Sequence, residues 1–192
     1  MTKLKFRSTS PRRTCTKTYA SYKSYKPFLA TDFNNRCGYT DCQDRWLGGK
    51  NTFHIDHFKP HSRFPSLKNE YSNLVYSCSY VNILKLNDNP DNYLDPCEED
   101  LNQHFYRDRS GTIFPNIDSP KALYMHKKLK LGLARYQLIW LVENLFSSIE
   151  KLQTIVSTLP KDSVKACELK DLHYELTKGF TEYYNYLTAQ HL

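Results

Sequence analysis

Apolar residues recur at helical spacing in the C-terminal third of the chain. Between residues 119 and 158 these positions are Leu123, Leu129, Leu133, Tyr136, Trp140, Leu145, Ile149, Leu152 and Val156. The pattern predicts one long helix or two helices in series, with a break at Pro160. A further helix is predicted from about Ser163 to Leu187, with a weak point at Gly179. We expect a helical hairpin, and the tyrosine-rich segment GFTEYYNYL also suits a partner surface.

The segment FHIDHFKP, which begins at residue 53, has the alternating pattern of a β-strand. Alternation places His54 and Asp56 on the same face of that strand. His57 follows at the end of the strand, before the break that Pro60 imposes. This arrangement puts two potential metal ligands beside a potential base.

A helix is predicted after Cys78. Asn82 and Lys85 lie three residues apart in it, so they share one face and can both point back at the strand. A strand, a loop and a helix would then enclose one small polar site.

These residue types suit the hydrolysis of a phosphodiester, which requires a base for the attacking water and positive charge near the phosphate. His57 can be the base, because an imidazole titrates near neutral pH. Asp56 and the amide oxygen of Asn82 are hard oxygen ligands suited to Mg²⁺ or Mn²⁺. Asn73 is placed to hold either the loop or the His57 ring by hydrogen bonding.

The order of these residues resembles that of the HNH endonucleases, whose fold is the ββα-metal motif. The matching positions are Asp56, His57, Pro60, Asn73, Leu74, Cys78, Asn82 and Lys85. The segments YSNLVYSC, LDPCEED with His104-Phe105 behind it, and YMHKKLKL are similar to stand-alone bacterial HNH proteins. The resemblance covers roughly residues 35 to 145.

The resemblance implies one divalent ion, Mg²⁺ or Mn²⁺, in the active site. It implies His57 as the general base, with Asp56 and Asn82 as metal ligands. It also implies Asn73 as the structural asparagine of the motif, and we group it with His57 and Asn82 as the catalytic residues. His54 falls where some relatives carry an extra acidic ligand, so it is a candidate third ligand.

One departure from the family concerns structural zinc. Many relatives carry two Cys-x-x-Cys knuckles, which hold zinc when all four thiols are present. Here Cys37-Gly-Tyr is followed by Thr40, and Cys78-Ser-Tyr is followed by Val81. Cys42 could supply a further ligand, with a fourth from Cys97 or a histidine. We expect no structural zinc, with Cys37 and Cys78 packed as apolar side chains.

The positive charge of the chain is concentrated at its N-terminus. The net charge is +7, and residues 1–31 contain eight lysine and arginine residues but no acidic residue. The remaining chain has 19 basic and 20 acidic residues. Tyr19, Tyr22 and Tyr25 lie among the basic residues of the N-terminus. Basic and aromatic side chains together can neutralise phosphates and stack on unpaired bases.

We therefore interpret residues 1–31 as an arm that grips nucleic acid beside the catalytic site. The candidate contacts are Arg12, Arg13 and Lys17 in the arm, with Lys59 and Lys85 in the core. A solvated tail and an arm packed on a partner protein are alternatives. Tyrosines at three-residue spacing can also form one side of a short helix on the core. Lys85 can equally cover apolar surface with its stem.

The sequence predicts an α+β fold in three regions, with a basic arm at residues 1–31, an HNH nuclease core at residues 32–118 and a helical region at residues 119–192. The core is expected to be a ββα-metal unit with a mostly helical surround and a C-terminal helical hairpin. No apolar run suits a membrane span and no signal-peptide core is present, so we expect a cytoplasmic protein without membrane contact. The six cysteines have irregular spacing and are expected as reduced thiols. An acid-free basic N-terminus also occurs in organelle transit peptides, which is a lesser alternative.

Together these features predict a metal-dependent endonuclease with DNA as the first-choice substrate. Structured RNA such as tRNA is an alternative substrate, and a degenerate fold that binds nucleic acid or a partner without cutting is an alternative function. The YSNLVYSC and LDPC arrangement resembles nuclease components of bacterial anti-phage systems, including Septu-type and retron-associated modules. That resemblance implies an ABC-like ATPase partner, or a retron or other regulatory component.

Overall fold

The computed structural model describes residues 2–160 and 163–189, and the fold within them is α+β. The α-helices in this part of the chain are α1 Lys26–Asp32, α2 Ser79–Lys85, α3 Pro120–Lys128, α4 Ala134–Ser157 and α5 Val164–Ala189. Its β-strands are β1 Leu4–Lys5, β2 Phe53–His57, β3 Leu74–Cys78, β4 Phe105–Arg107 and β5 Ile113–Pro115. Short 3₁₀ turns connect several of these elements.

The chain forms two compact units, residues 1–136 and residues 137–192. The first unit contains the strands together with α1, α2 and α3. The second contains most of α4 and all of α5. Inside the first unit, α1 contacts β3 and α3 contacts β5.

Strands β2 and β3 form an antiparallel pair that leads directly into α2. The register aligns Phe53 with Cys78 and His57 with Leu74. All five residues of β3 are buried, since its apolar and small side chains pack beneath α1 and α2. The rings of Phe53 and Tyr76 pack in a tilted arrangement across the pair, with centroids 4.7 Å apart. This strand pair and its helix position the candidate site.

The N-terminal residues belong to the fold of the first unit. Strand β1 pairs with β4 in a three-stranded antiparallel sheet of order β1-β4-β5. Phe6 follows β1 and packs on Phe105, with ring centroids 5.4 Å apart. Tyr25 is buried in a 3₁₀ turn, Tyr22–Tyr25, that precedes α1. Tyr22 and Tyr25 thus lie three residues apart in a short helix on the core, whereas Tyr19 precedes that helix.

The second unit is a helical hairpin, as the sequence predicts. The rings of Phe146 on α4 and Phe180 on α5 meet with centroids 5.9 Å apart. The helices in series predicted for residues 119–158 are α3 and α4. Helix α3 begins as expected from its residues, because Pro120 has a preset φ and the Ser119 hydroxyl accepts from the Ala122 N–H.

The sequence predicts no membrane span, and the longest helices can be compared with that prediction. Helices α4 and α5 have 24 and 26 residues, but both carry charged side chains along their length. Within the described residues, none of the helices combines the length and the apolar composition that a membrane span requires.

Candidate active site

A cleft with a volume of ≈ 280 Å³ opens beside β2, the start of the following loop and α2. We refer to this space as the cleft. Its lining residues are Tyr22, His54, Ile55, Asp56, His57, Pro60, His61, Asn82, Leu86 and Asn87. Four residues predicted for the site from the sequence, His54, Asp56, His57 and Asn82, therefore line one space.

His57 ends strand β2, and only 8% of its surface is exposed. Its Nε2 lies 2.8 Å from the carbonyl oxygen of Lys68. Because a carbonyl oxygen only accepts hydrogen bonds, Nε2 carries the proton and the neutral ring keeps a lone pair on Nδ1. Burial lowers the pKa of His57, while the hydrogen bond to Lys68 acts in the opposite direction. The ring is therefore neutral near neutral pH and can accept a proton at Nδ1.

Asp56 is almost completely buried on β2, at the edge of the cleft. The Tyr39 hydroxyl donates to its Oδ2 at 2.6 Å, and the Lys85 ammonium lies 3.0 Å from the same oxygen. Burial raises the pKa of Asp56, whereas the charge of Lys85 and the hydroxyl of Tyr39 lower it. These contacts fix the orientation of the carboxyl group within a buried ion pair.

Asn82 on α2 and His54 on β2 complete the predicted donor set. His54 is exposed on β2, and Asn82 is half-buried on α2. Helix α2 starts immediately after β3, with Cys78 in extended conformation at its N-cap, and it contacts β2 as well as β3. This tight connection brings Asn82 to the cleft.

The cleft offers a limited set of donors to a cation. Asp56 and Asn82 can supply oxygen and His54 can supply nitrogen, which suits Mn²⁺ or Mg²⁺ with water and phosphate in the remaining positions. Among the described residues, no group of three or more His, Cys, Asp or Glu side chains could hold a metal ion. A cation in the cleft would therefore rely on the Asn82 amide and on oxygens from outside the protein.

Asn73 holds the loop that follows β2. Its Oδ1 accepts from the Lys59 N–H at 2.8 Å, and its Nδ2 donates to the Lys59 carbonyl at 2.9 Å. The same Nδ2 is 3.3 Å from the Leu67 carbonyl, and the Asn73 carbonyl accepts from the Phe58 N–H. Of the two roles expected from the sequence, these contacts support the loop. Asn73 therefore fixes the path of the chain between His57 and its partner Lys68.

Two of the basic residues predicted to bind nucleic acid are engaged inside the fold. Lys85 is 1% exposed, and its ammonium donates to the carbonyls of His57 and Phe58 as well as to Asp56. Arg13 forms an ion pair with Asp95 at 3.0 Å and donates to a backbone carbonyl of β3. These contacts use the donors that a phosphate would need, so we assign both side chains structural roles.

The other three predicted nucleic-acid contacts are exposed. Arg12, Lys17 and Lys59 all have solvent-accessible side chains. The Lys17 ammonium lies 5.4 Å from the ring centroid of Phe28, and the Lys59 ammonium lies 6.0 Å from that of Phe64. Weak cation–π contacts of this kind leave the ammonium groups accessible to an anion.

Residues 37–42, which we call the cysteine loop, include the segment Cys37–Thr40 that aligns with the first Cys-x-x-Cys knuckle of the HNH pattern. The loop carries Cys37 and Cys42, both buried, and the Cys78 N–H donates to the Cys37 sulfur at 3.4 Å. Although burial raises the pKa of Cys37, hydrogen bonds from Cys78 and Thr40 lower it to about 6. Valine at position 81 is fully buried in place of a fourth thiol.

Two buried guanidinium groups bond the backbone of the cysteine loop. Arg7 Nη2 donates to the Gly38 carbonyl at 2.7 Å, and Arg107 Nη2 donates to the Thr40 carbonyl at 3.0 Å. Burial lowers the pKa of Arg7, while nearby Asp41 opposes this effect. Basic residues of the N-terminal segment thus serve the fold as well as its surface.

Three residues of the site were not found by sequence reasoning. Tyr39 bonds Asp56, and Tyr22 lies against the His57 ring with centroids 4.8 Å apart. Asn69 bonds the backbone at Tyr22 through its side chain. The tyrosine spacing in the N-terminal segment was a signal for Tyr22, but the sequence carries no comparable signal for Tyr39 or Asn69.

The geometry of the cleft is the basis for assigning its chemistry. A neutral imidazole with a lone pair, a buried carboxyl group and an amide line one accessible space. Such a set can take a proton from water beside a cation held by oxygen donors. Comparisons of the chain with protein-family models, with curated proteins and with solved structures found no match.

Proposed function

We propose that this protein is a metal-dependent endonuclease of the HNH type that hydrolyses phosphodiester bonds in nucleic acid. The observation that carries the proposal is the convergence of His57, Asp56 and Asn82 on one cleft. The antiparallel pair β2–β3 followed by α2 supports it, since this is the element order of a ββα-metal core. We also propose a cytoplasmic location.

In the proposed mechanism His57 acts as the general base. Its Nδ1 removes a proton from a water molecule as that water attacks the phosphorus, and the bond to the leaving oxygen breaks, so that this oxygen departs as an alkoxide and takes a proton from solvent water. The Lys68 carbonyl holds Nε2–H, so the tautomer needed for proton uptake is already present. Asp56, Asn82 and His54 would hold one Mg²⁺ or Mn²⁺, which when bound would stabilise the charge that develops on the phosphate oxygens.

DNA is the proposed substrate, because a base that activates water makes the ribose 2′-hydroxyl unnecessary. The exposed Lys59, Lys17 and Arg12 are the proposed phosphate contacts. Structured RNA is the alternative, because metal-dependent hydrolysis works on either backbone. A role in anti-phage defence with an ABC-like ATPase, a retron or another regulatory component belongs to the same proposal, and the exposed Tyr183 and Tyr186 of the segment GFTEYYNYL are a candidate partner surface.

A non-cleaving scaffold is the second candidate function. The observation that favours it is the Lys85 ammonium, 3.0 Å from Asp56, because a positive charge at this distance opposes a second cation on the same carboxylate. Such a scaffold predicts binding of nucleic acid or a partner without metal-dependent cleavage.

The test compares wild type with His57→Ala on labelled plasmid DNA and total tRNA, with Mg²⁺ or Mn²⁺, alone and with the products of neighbouring genes. His57→Ala is expected to lower the cleavage rate by about 10²–10⁴-fold, because the base is lost. His173→Ala on α5 is the matched control and is expected to cleave like wild type. Equal rates for wild type and His57→Ala would refute the proposed chemistry, and binding without any cleavage would favour the scaffold.

A further inference from the structure

The backbone around Tyr22 is clamped by one asparagine side chain. The Tyr22 N–H donates to Asn69 Oδ1 at 3.0 Å, and Asn69 Nδ2 donates to the Ala20 carbonyl at 3.0 Å. The side-chain amide of Asn69 therefore accepts one backbone hydrogen bond and donates another, as a residue in a neighbouring β-strand would. It ties residues 20–22 to a point 47 residues further along the chain.

The segment on either side of Tyr22 is also anchored. The Tyr19 N–H donates to the Tyr25 hydroxyl at 3.1 Å, and the rings of these two residues meet edge to face. Tyr25 is 2% exposed and packs on Tyr71, with ring centroids 5.0 Å apart. The position of Tyr22 is therefore determined by the fold and not by a mobile arm.

This clamp places the Tyr22 ring against the proposed base. The ring centroids of Tyr22 and His57 are 4.8 Å apart, with an interplanar angle of 68°. The His61 ring approaches His57 at the same centroid distance with an angle of 73°. Lys68, which accepts from His57 Nε2, directly precedes Asn69 in the chain. One short stretch thus supports both the base and the residue that packs on it.

We propose that Tyr22 is a positioning residue of the cleft, which through its Asn69 clamp holds the His57 ring in the orientation that proton transfer requires. This inference rests on the proposed nuclease function. Two edge-to-face aromatic contacts and one hydrogen bond restrict rotation of the imidazole. The aromatic ring carries the role, since within the described residues the structure shows no hydrogen bond to the Tyr22 hydroxyl.

The test uses three variants with one matched control. Tyr22→Leu removes the ring, Tyr22→Phe keeps the ring without its hydroxyl, and Asn69→Ala removes the clamp alone. Tyr174→Leu is the control, because Tyr174 is 67% exposed on α5, outside the cleft. The readouts are kcat and KM for Mn²⁺-dependent cleavage of plasmid DNA, thermal unfolding, and nuclear Overhauser effects between the rings at positions 22 and 57.

The proposal expects Tyr22→Leu and Asn69→Ala to lower kcat by about tenfold to a hundredfold with KM nearly unchanged, because misorientation of a catalytic group affects the chemical step. Tyr22→Phe and Tyr174→Leu are expected to behave like wild type. Asn69→Ala, which keeps both rings, is expected to weaken the Overhauser effects between them.

Two kinds of result would overturn the inference. Wild-type kcat in Tyr22→Leu excludes a positioning role, and an equal loss in Tyr22→Phe assigns the effect to the hydroxyl. If wild type itself does not cleave, the proposed function fails, yet the Overhauser effects in wild type and Asn69→Ala still decide whether the clamp holds the two rings together.

Discussion

The cleft and the cysteine loop lie against the same strand pair but use polar groups in opposite ways. In the cysteine loop, the carbonyls of Gly38 and Thr40 are bonded by buried guanidinium groups. His57, which lines the cleft, is bonded at Nε2, and among the described residues no hydrogen bond involves its Nδ1. The loop therefore uses charge to satisfy its backbone, whereas the cleft retains an acceptor that the proposed reaction would use.

The difference shows where this fold can tolerate change. A buried carbonyl that loses its donor costs free energy directly, so the cysteine loop depends on its arginines for stability. If the proposed function holds, a group that lines the cleft is expected to contribute more to activity than to stability. Tyr39 connects the two regions, since it belongs to the cysteine loop and donates to Asp56 in the cleft.

The largest effect on stability is expected from Arg107→Met. Arg107 is 1% exposed and donates to the carbonyls of Phe6, Thr40 and Gly111. Methionine fills similar volume but leaves these carbonyls without that donor, so the free energy of unfolding is expected to fall by about 3–5 kcal/mol. Urea denaturation followed by circular dichroism measures this change.

The matched control for this prediction is Arg109→Met. Arg109 is exposed two residues further along the chain. Its replacement is expected to change the free energy of unfolding by less than about 0.5 kcal/mol. Similar losses in both variants would mean that removal of a positive charge, and not the bonds to buried carbonyls, accounts for the effect.

Tyr39→Phe separates stability from activity at the connection between the two regions. Loss of a hydrogen bond to a charged group is expected to lower the free energy of unfolding by about 1.5–3 kcal/mol. Tyr76→Phe is the matched control, because its buried hydroxyl donates to Asp44 at 2.9 Å, away from the cleft. Both variants should lose similar stability, but only Tyr39→Phe should lose metal-dependent cleavage. Equal cleavage by the two variants would exclude a functional role for the Tyr39 bond to Asp56.

Local periodicity predicted the helical part of the fold well. The expected segments at residues 119–158 and 163–187 correspond to α3, α4 and α5, because the spacing of apolar residues in a helix depends only on nearby positions. The N-terminal segment was less predictable. Arg7 bonds the Gly38 carbonyl, which is 31 residues away in the chain. The composition of the N-terminal segment does not show whether its arginines bind such a distant carbonyl or a phosphate.

The same reasoning explains the candidate site. His54, Asp56 and Asn82 could be placed together because strand alternation and helical spacing are regular. The contacts of Tyr39 with Asp56 and of Asn69 with Tyr22 could not be foreseen, since they cross 17 and 47 residues through irregular segments. The ion pair between Lys85 and Asp56 likewise depends on how α2 crosses β2.

Gly38→Ala tests how tightly the cysteine loop is packed. A Cβ at this position would lie 2.7 Å from Val75 Cγ1 and 2.8 Å from Phe33 Cε1, both in the core. We expect a loss of about 1–3 kcal/mol from overpacking, measured by urea denaturation.

Gly179→Ala gives the comparison for Gly38→Ala. A Cβ added at Gly179 on α5 would have no atom within 4 Å. The free energy of unfolding of this variant is therefore expected to rise by about 0.5–1 kcal/mol, because alanine has the higher helix propensity. A gain in both variants would mean that the cysteine loop relaxes around an added methyl group.

Removal of metal is expected to have the smallest effect on stability. It should affect the cleft but not the cysteine loop. The cysteine loop is held by guanidinium groups and by the Cys37 N–H bond to the Cys42 carbonyl at 2.9 Å, so a chelator is expected to leave the unfolding temperature unchanged. Cleavage should stop in the same sample and return on addition of Mn²⁺, because the ion would be held only by the cleft. A fall in the unfolding temperature that Zn²⁺ but not Mn²⁺ restores would instead assign a metal to the cysteine loop. Arg7 and Arg107 would then support a zinc site in the cysteine loop and would not stabilise the loop in place of zinc. The contrast between the loop and the cleft would no longer hold.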